Sequence, residues 1–453
     1  MKLITDAQKI YELSLFWKEA AYNFAFWDKV DIDWDGEYKK ALERILKTSD
    51  AYDYYRELMR FAALLNDGHT DIRFPDGISR DAGYFSMIPV YFAKPGDKIY
   101  VICTSEELKD RIPLFSVPVG IDGTEIHDYI RENCYPYFWH ANEDACGVSV
   151  MNELVFGRRG SSAVFTFEKD GRQFDVRLKR SDPARIAWSS AEIPAPGGGR
   201  RLISSSDTHT VHMTEDRVAI IRITSFTDSS VPEKIYACFE QMKNARGYIL
   251  DVRGNSGGNS GNADAVAALF IGGEFRSCFA ETQVYEPTYK AWAICRDDFR
   301  SLTPEAASVK FTGDAHSAKT YRMGRNIFYV PDGGNAVHAH PPGKLDGPVA
   351  VLMNQYTVSA AEDFIDVLKM YTDAVFIGNH TAGTSGQPLC GRFESGGFYR
   401  ICTRRCIAQN GEDIYNKGFA PDIRIIPTAE DLAAGRDTGM EKAMEIIARG
   451  ASS

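Results

Sequence analysis

Val349-Ala350-Val351-Leu352-Met353-Asn354-Gln355-Tyr356-Thr357-Val358-Ser359-Ala360-Ala361-Glu362 is the stretch on which the reading of this chain turns. The apolar run Val349–Met353 reads as a buried strand, and Phe364, Val367, Leu368 and Tyr371 follow at helical spacing. Ser359 therefore falls at a strand-to-helix junction. Such a junction exposes a side chain beside free backbone N–H groups and the positive end of a helix dipole, which suits a nucleophile whose attack creates an oxyanion. Ser359-x-x-Glu362 also has the spacing of a capping box, in which the serine only closes a helix end, and this segment alone leaves both readings open. The pattern is not Gly-x-Ser-x-Gly, so an α/β-hydrolase elbow is not indicated.

Upstream, the apolar strand Tyr248-Ile249-Leu250-Asp251-Val252 runs into Arg253-Gly254-Asn255-Ser256-Gly257-Gly258-Asn259-Ser260-Gly261. Its glycines let backbone N–H groups approach a ligand closely, or merely form a tight turn with Asp251 and Arg253 as a structural ion pair. Neither phosphate-binding pattern, Gly-x-x-x-x-Gly-Lys-Ser/Thr or Gly-x-Gly-x-x-Gly, is present. With Val218–Ile223 and Val375–Ile377 as further apolar runs, strand, turn and helix alternate after residue 216. This predicts an α/β layer on a largely parallel, buried sheet.

The rest of the chain has a different periodicity. Ile10, Leu13, Phe16 and Trp17, then Tyr54, Leu58, Phe61, Ala62 and Leu65, predict a helical N-terminal region that stops at Asn66-Asp67-Gly68-His69-Thr70, before a short run from Asp71 to Phe74. Between Ile88 and Lys179 the period becomes that of strands, with a hairpin pairing Ala163–Phe167 and Phe174–Leu178 around Asp170-Gly171. Pro194-Ala195-Pro196-Gly197-Gly198-Gly199 and Ser204-Ser205-Ser206 read as linker. The expected division is 1–80 helical, 81–183 β-rich, 184–215 linker and 216–453 α/β core.

At 453 residues and 44% hydrophobic, the chain can build a sizeable core. Its 52 Lys and Arg against 62 Asp and Glu, net charge −10, argue against a nucleic-acid partner. No apolar stretch reaches the roughly 20 residues that cross a bilayer. The nine cysteines are scattered without a Cys-x-x-Cys pair and read as free packing residues. His209/His212 and His338/His340 lack neighbouring ligands at metal spacing, so neither a metal nor an organic cofactor is expected. The compartment stays open: cytoplasmic if the chain is whole, exported if a leader has been removed.

Four motifs in order carry a family resemblance: Leu250-Asp251-Val252-Arg253-Gly254-Asn255-Ser256-Gly257-Gly258; Val351 through Glu362; Ile377-Gly378-Asn379-His380-Thr381-Ala382-Gly383; and Gly418-Phe419-Ala420-Pro421-Asp422-Ile423. Together they resemble the C-terminal processing (tail-specific) serine peptidases. Asp67-Gly68-His69-Thr70 resembles the histidine motif of the tricorn-like and retinoid-binding-repeat branch, so the likeness spans nearly the whole chain. The resemblance implies a crotonase/ClpP-like α/β core with an inserted PDZ-like domain. It implies Ser359 as nucleophile, His69 as general base and the N–H groups of Gly257 and Ala360 as oxyanion hole. Imidazole titrates near 6.5, so the rate is expected to climb with pH around that value.

The chain departs from the family pattern in three places. Thr384 stands where the Lys-dependent branch carries its lysine. The glutamate expected before Gly418 is replaced by Tyr415, which leaves Glu412 as the nearest candidate for orienting His69. No Gly-Leu-Gly-Phe loop stands near Gly83-Tyr84-Phe85-Ser86 to bind a C-terminal carboxylate. The expected activity is cleavage of unfolded protein tails or peptides. The rivals are a non-catalytic ligand- or peptide-binding protein and an acyl-thioester enzyme on the same fold.

Overall fold

Nearly continuous burial along the predicted strands explains the central sheet. In the computed structural model, which describes residues 4–76, 85–189, 199–326, 329–332 and 336–450, seven strands join in one sheet. Their order is Arg200–Ser205, His209–Thr214, Val218–Ile223, Gly247–Asp251, Val349–Met353, Val375–Gly378 and Ile423–Arg424. The first three are antiparallel, and from Val218–Ile223 onward every pairing is parallel. One face sends Ala219, Ile221, Leu250, Val351 and Phe376 into a large core with Phe364 and Leu368 of the helix Ala360–Tyr371. The other sends Ile220, Ile249, Ala350, Leu352 and Ile377 against Met440, Ala443 and Ile447 of the helix Thr438–Gly450. Burial on both faces is why these strands read as continuous apolar runs.

The chain forms two compact units. The first comprises Met1–Phe74, Phe279–Gly334 and Gly386–Ile407; the second comprises Pro75–Cys278, Asn335–Ser385 and Ala408–Ser453. In the first, the helices Asp6–Asn23, Trp34–Ile45 and Ala51–Ala63 close around Phe16, Trp34, Tyr54 and Phe61, with the Trp34 and Phe61 rings stacked at 4.2 Å. The strand Asp71–Arg73 pairs with Phe398–Cys402 in that unit. In the second, the β-rich segment has its own core around Phe165, Phe167, Val176 and Leu178. Its hairpin Ser162–Lys169 with Arg172–Lys179 turns at Asp170 (φ 50°) and Gly171 (φ 74°), two left-handed residues in succession as a tight hairpin requires.

One expectation is corrected. Residues 200–205 and 209–214, assigned to linker, are strands that extend the central sheet. Their polar sequence suits the sheet's outer edge, where the strand Arg200–Ser205 stays largely exposed. Gly83, Tyr84 and the stretch Pro194–Gly198 lie outside the described residues. None of the nine cysteines is in a disulfide. No helix among the described residues is long and apolar enough to cross a membrane.

Candidate active site

Two loops leave the C-terminal ends of neighbouring parallel strands and are laced together. Asn354 Oδ1 accepts the Gly254 N–H at 3.0 Å, Thr357 Oγ1 donates to Val252 O at 2.9 Å, and the Val358 N–H donates to Asn255 O at 2.9 Å. Asn354, Thr357 and Asn255 thus join the glycine loop to the serine turn. At the end of that turn Ser359 adopts φ 58°, ψ −126°, immediately before the helix Ala360–Tyr371. A non-glycine residue held there stores about 1–3 kcal/mol and persists only where its surroundings fix it. The fixing groups are Thr384 O, which accepts the Ser359 N–H at 3.0 Å, and Glu362 Oε2 at 3.3 Å.

Gly257 lies directly against the serine. A Cβ on it would sit 2.6 Å from Ser359 Cβ, 2.8 Å from Val358 O and 3.1 Å from Ala360 N. Its own N–H donates to Asn255 Oδ1 at 2.9 Å. Among the described residues, the Ala360 and Gly258 N–H groups have no protein acceptor. Ala360 begins the helix, so its N–H carries the positive end of the helix dipole.

Glu362 sits beneath this turn, fully buried. Burial raises its carboxyl, and hydrogen bonds from Thr381, Gly383, Thr384 and Ser359 oppose that by favouring the charged form. Sequence reasoning saw Glu362 only as a helix cap. The sequence hides its burial, because Glu362, Asp363, Asp366 and Lys369 share one side of the helix and read as a solvent-facing stripe, whereas the structure buries all three carboxylates.

His69 belongs to the first unit. Asn66, with φ 47°, ends the preceding helical segment, and Asp67 Oδ2 then accepts the His69 N–H at 3.0 Å and the Thr70 hydroxyl at 2.7 Å. Thr70 Oγ1 in turn accepts the Cys402 N–H at 3.0 Å, and Arg400 pairs with Asp71 at 2.6 Å. Burial, helped by the positive Arg400, lowers the His69 imidazole to about 4. It is neutral at pH 7, as a general base must be. Burial also raises Asp67 to about 6.

The second unit thus brings Ser359, Gly257 and Ala360 together, while His69 is held by a separate network in the first. Glu412 occupies an exposed turn, its N–H bound to Asn410 Oδ1 at 3.0 Å. Thr384 is buried and serves through its backbone, the N–H donating to Glu362 Oε2 at 2.9 Å. Arg253 pairs with Asp251 as a structural ion pair and also reaches Asp437, both at 2.8 Å. His209, considered for metal, has its two ring nitrogens 2.8 and 3.1 Å from the hydroxyls of Ser206 and Ser204.

Comparison with known proteins accords with this geometry. The carboxy-terminal processing protease CtpA of Bacillus subtilis (strain 168) is 24% identical over 282 residues, covering 61% of this chain and 48% of that protein. The chain spans about half the length of the curated relatives it matches. The crystal structure of mature CPAF superposes with a TM-score of 0.72 at 17% identity, covering 99% of this chain and 98% of that one. A second structure, mature CPAF complexed with lactacystin, gives 0.70 at 17% identity over 99% of both chains. These similarities establish a mixed α/β fold of that kind. The segment 217–425, which carries the glycine loop, the serine turn and both later motifs, matches and belongs to peptidase family S41.

Proposed function

We propose that this chain is a serine peptidase that hydrolyses peptide bonds in unfolded protein tails or peptides through an acyl-enzyme on Ser359. The observation that carries the reading is the left-handed main chain of Ser359 at a helix start, packed on Gly257 and followed by the unpaired N–H of Ala360. A serine that only capped the helix would take ordinary extended φ and ψ. In this reading His69 accepts the Ser359 proton as the hydroxyl attacks the scissile carbonyl, then delivers it to the leaving amine; water repeats the sequence to release the acid.

The Ala360 N–H faces the developing oxyanion. Gly257 joins it if its N–H is released from Asn255, and the unpaired N–H of Gly258 is the alternative donor. Glu412 as the orienting carboxylate gains no support from its exposed position. Thr384, in the place of the lysine, supports a histidine base over a lysine base. We read the central sheet and its helices as the crotonase/ClpP-like core, the β-rich segment as PDZ-like, and residues 1–80 as the source of the base.

Labelling with a fluorophosphonate probe tests the reading against a non-catalytic binding protein. Covalent label on Ser359 in the wild type, absent from Ser359→Ala, supports the peptidase. A folded wild type that takes no label favours the binder.

A further inference from the structure

One buried carboxyl group in the second unit is tied at once to the serine turn and to the loop 381–384. Glu362 Oε1 accepts from the Thr381 hydroxyl at 2.6 Å and the Gly383 N–H at 2.8 Å. Its Oε2 accepts from the Thr384 N–H at 2.9 Å and the Ser359 N–H at 3.3 Å. Four donors fill the acceptor sites of an ionised carboxylate. Thr384 closes a ring, because its carbonyl accepts the same Ser359 N–H at 3.0 Å. A glutamate that only caps a helix reaches back to one N–H. This one is fully buried, and three of its four partners belong to a different loop.

We infer that Glu362 is a positioning residue for Ser359: its carboxylate holds the left-handed serine main chain and the 381–384 loop in one arrangement, and so sets the direction of Oγ. The inference rests on the reading of Ser359 as nucleophile. The Glu362 carboxylate acts through the main chain of Ser359. Glutamine cannot replace it, since an amide offers one acceptor oxygen and in either orientation turns its NH2 group toward at least one backbone N–H donor.

The test compares wild type, Glu362→Gln and Thr381→Val by the rate of Ser359 modification with a fluorophosphonate and by kcat and KM on one peptide, with folding checked by near-ultraviolet circular dichroism. Glutamine is accepted in capping boxes, so a purely capping residue would leave both rates within about twofold. Positioning predicts that labelling and kcat fall by about tenfold or more in Glu362→Gln, with KM changed by less than about threefold. Thr381→Val removes one of the four donors, together with the acceptor of the Phe419 N–H. It should show a smaller fall of the same kind, and it carries the test if the glutamine variant does not fold. Labelling at the wild-type rate in the folded variant overturns the positioning role and leaves the role of Ser359 standing. A wild type that takes no label overturns the reading of Ser359, and the role of Glu362 with it.

Discussion

A side chain at Gly257 would collide with Ser359. With φ at 86° and a Cβ that would lie 2.6 Å from Ser359 Cβ, even Gly257→Ala keeps its N–H yet must displace the serine. We predict a loss of activity of about tenfold or more, and about 1–3 kcal/mol of stability, read from turnover and from urea unfolding. An unchanged Gly257→Ala would contradict the packing described above. The second residue-scale prediction concerns His69. Because burial and Arg400 lower its imidazole to about 4, the acidic limb it imposes on kcat/KM should lie well below the 6.5 of a free histidine. The rate rises with pH as the base loses its proton, so His69 itself imposes little loss between pH 7 and 5.5. Removing the positive neighbour with Arg400→Met should move that limb upward. A His69-dependent limb at 6.5 in the wild type would show that the imidazole works in a more solvated setting.

Among elements, the glycine loop is anchored at its rear by a clamp. Arg253 donates to both oxygens of Asp251 and both of Asp437, each at 2.8 Å, joining the strand Gly247–Asp251 to the start of the helix Thr438–Gly450. Asp437→Asn should cost about 1–3 kcal/mol in denaturant unfolding, because it weakens hydrogen bonds to a half-buried guanidinium. A change below a few tenths would mean that the clamp is dispensable. How far these elements were legible follows from their burial. Val218–Ile223 and Val349–Met353 are buried on both faces and stand out as apolar runs, and Asp170-Gly171 announces its hairpin. Arg200–Ser205 and His209–Thr214 were lost to the linker reading because one is mostly exposed and the other half-buried, so neither needs an apolar sequence. The pairing of Phe279–Gln283 with Arg404–Ile407 joins segments far apart in sequence, which local patterning cannot reveal. The site divides likewise. The strand-to-helix junction at Ser359 was legible, whereas the contacts of Glu362 depend on Thr381, Gly383 and Thr384 folding back over the helix.

For the whole molecule, buried carboxyls make stability depend on pH. Burial raises Asp366 to about 7, against an ordinary value of 3.8. Between those values the native state holds a proton that the unfolded chain has released, so this group stabilises most below about pH 4 and its contribution is lost as pH rises to about 7. His69 acts in the opposite sense, but only below its unfolded value of 6.5. We therefore predict that the Tm of the wild type falls relative to that of Asp366→Asn as pH rises from about 4 to 7, and that the difference is level above about 8; a difference that stays constant from about pH 4 to 7 would contradict this assignment. The central claim is that this fold carries out peptide hydrolysis at Ser359. Its most direct test is the cleavage of an unfolded protein substrate by purified wild type and Ser359→Ala, both shown to be folded. The account predicts cleavage by the wild type and none by Ser359→Ala, whose Tm should stay close to that of the wild type; wild-type turnover in Ser359→Ala would contradict it.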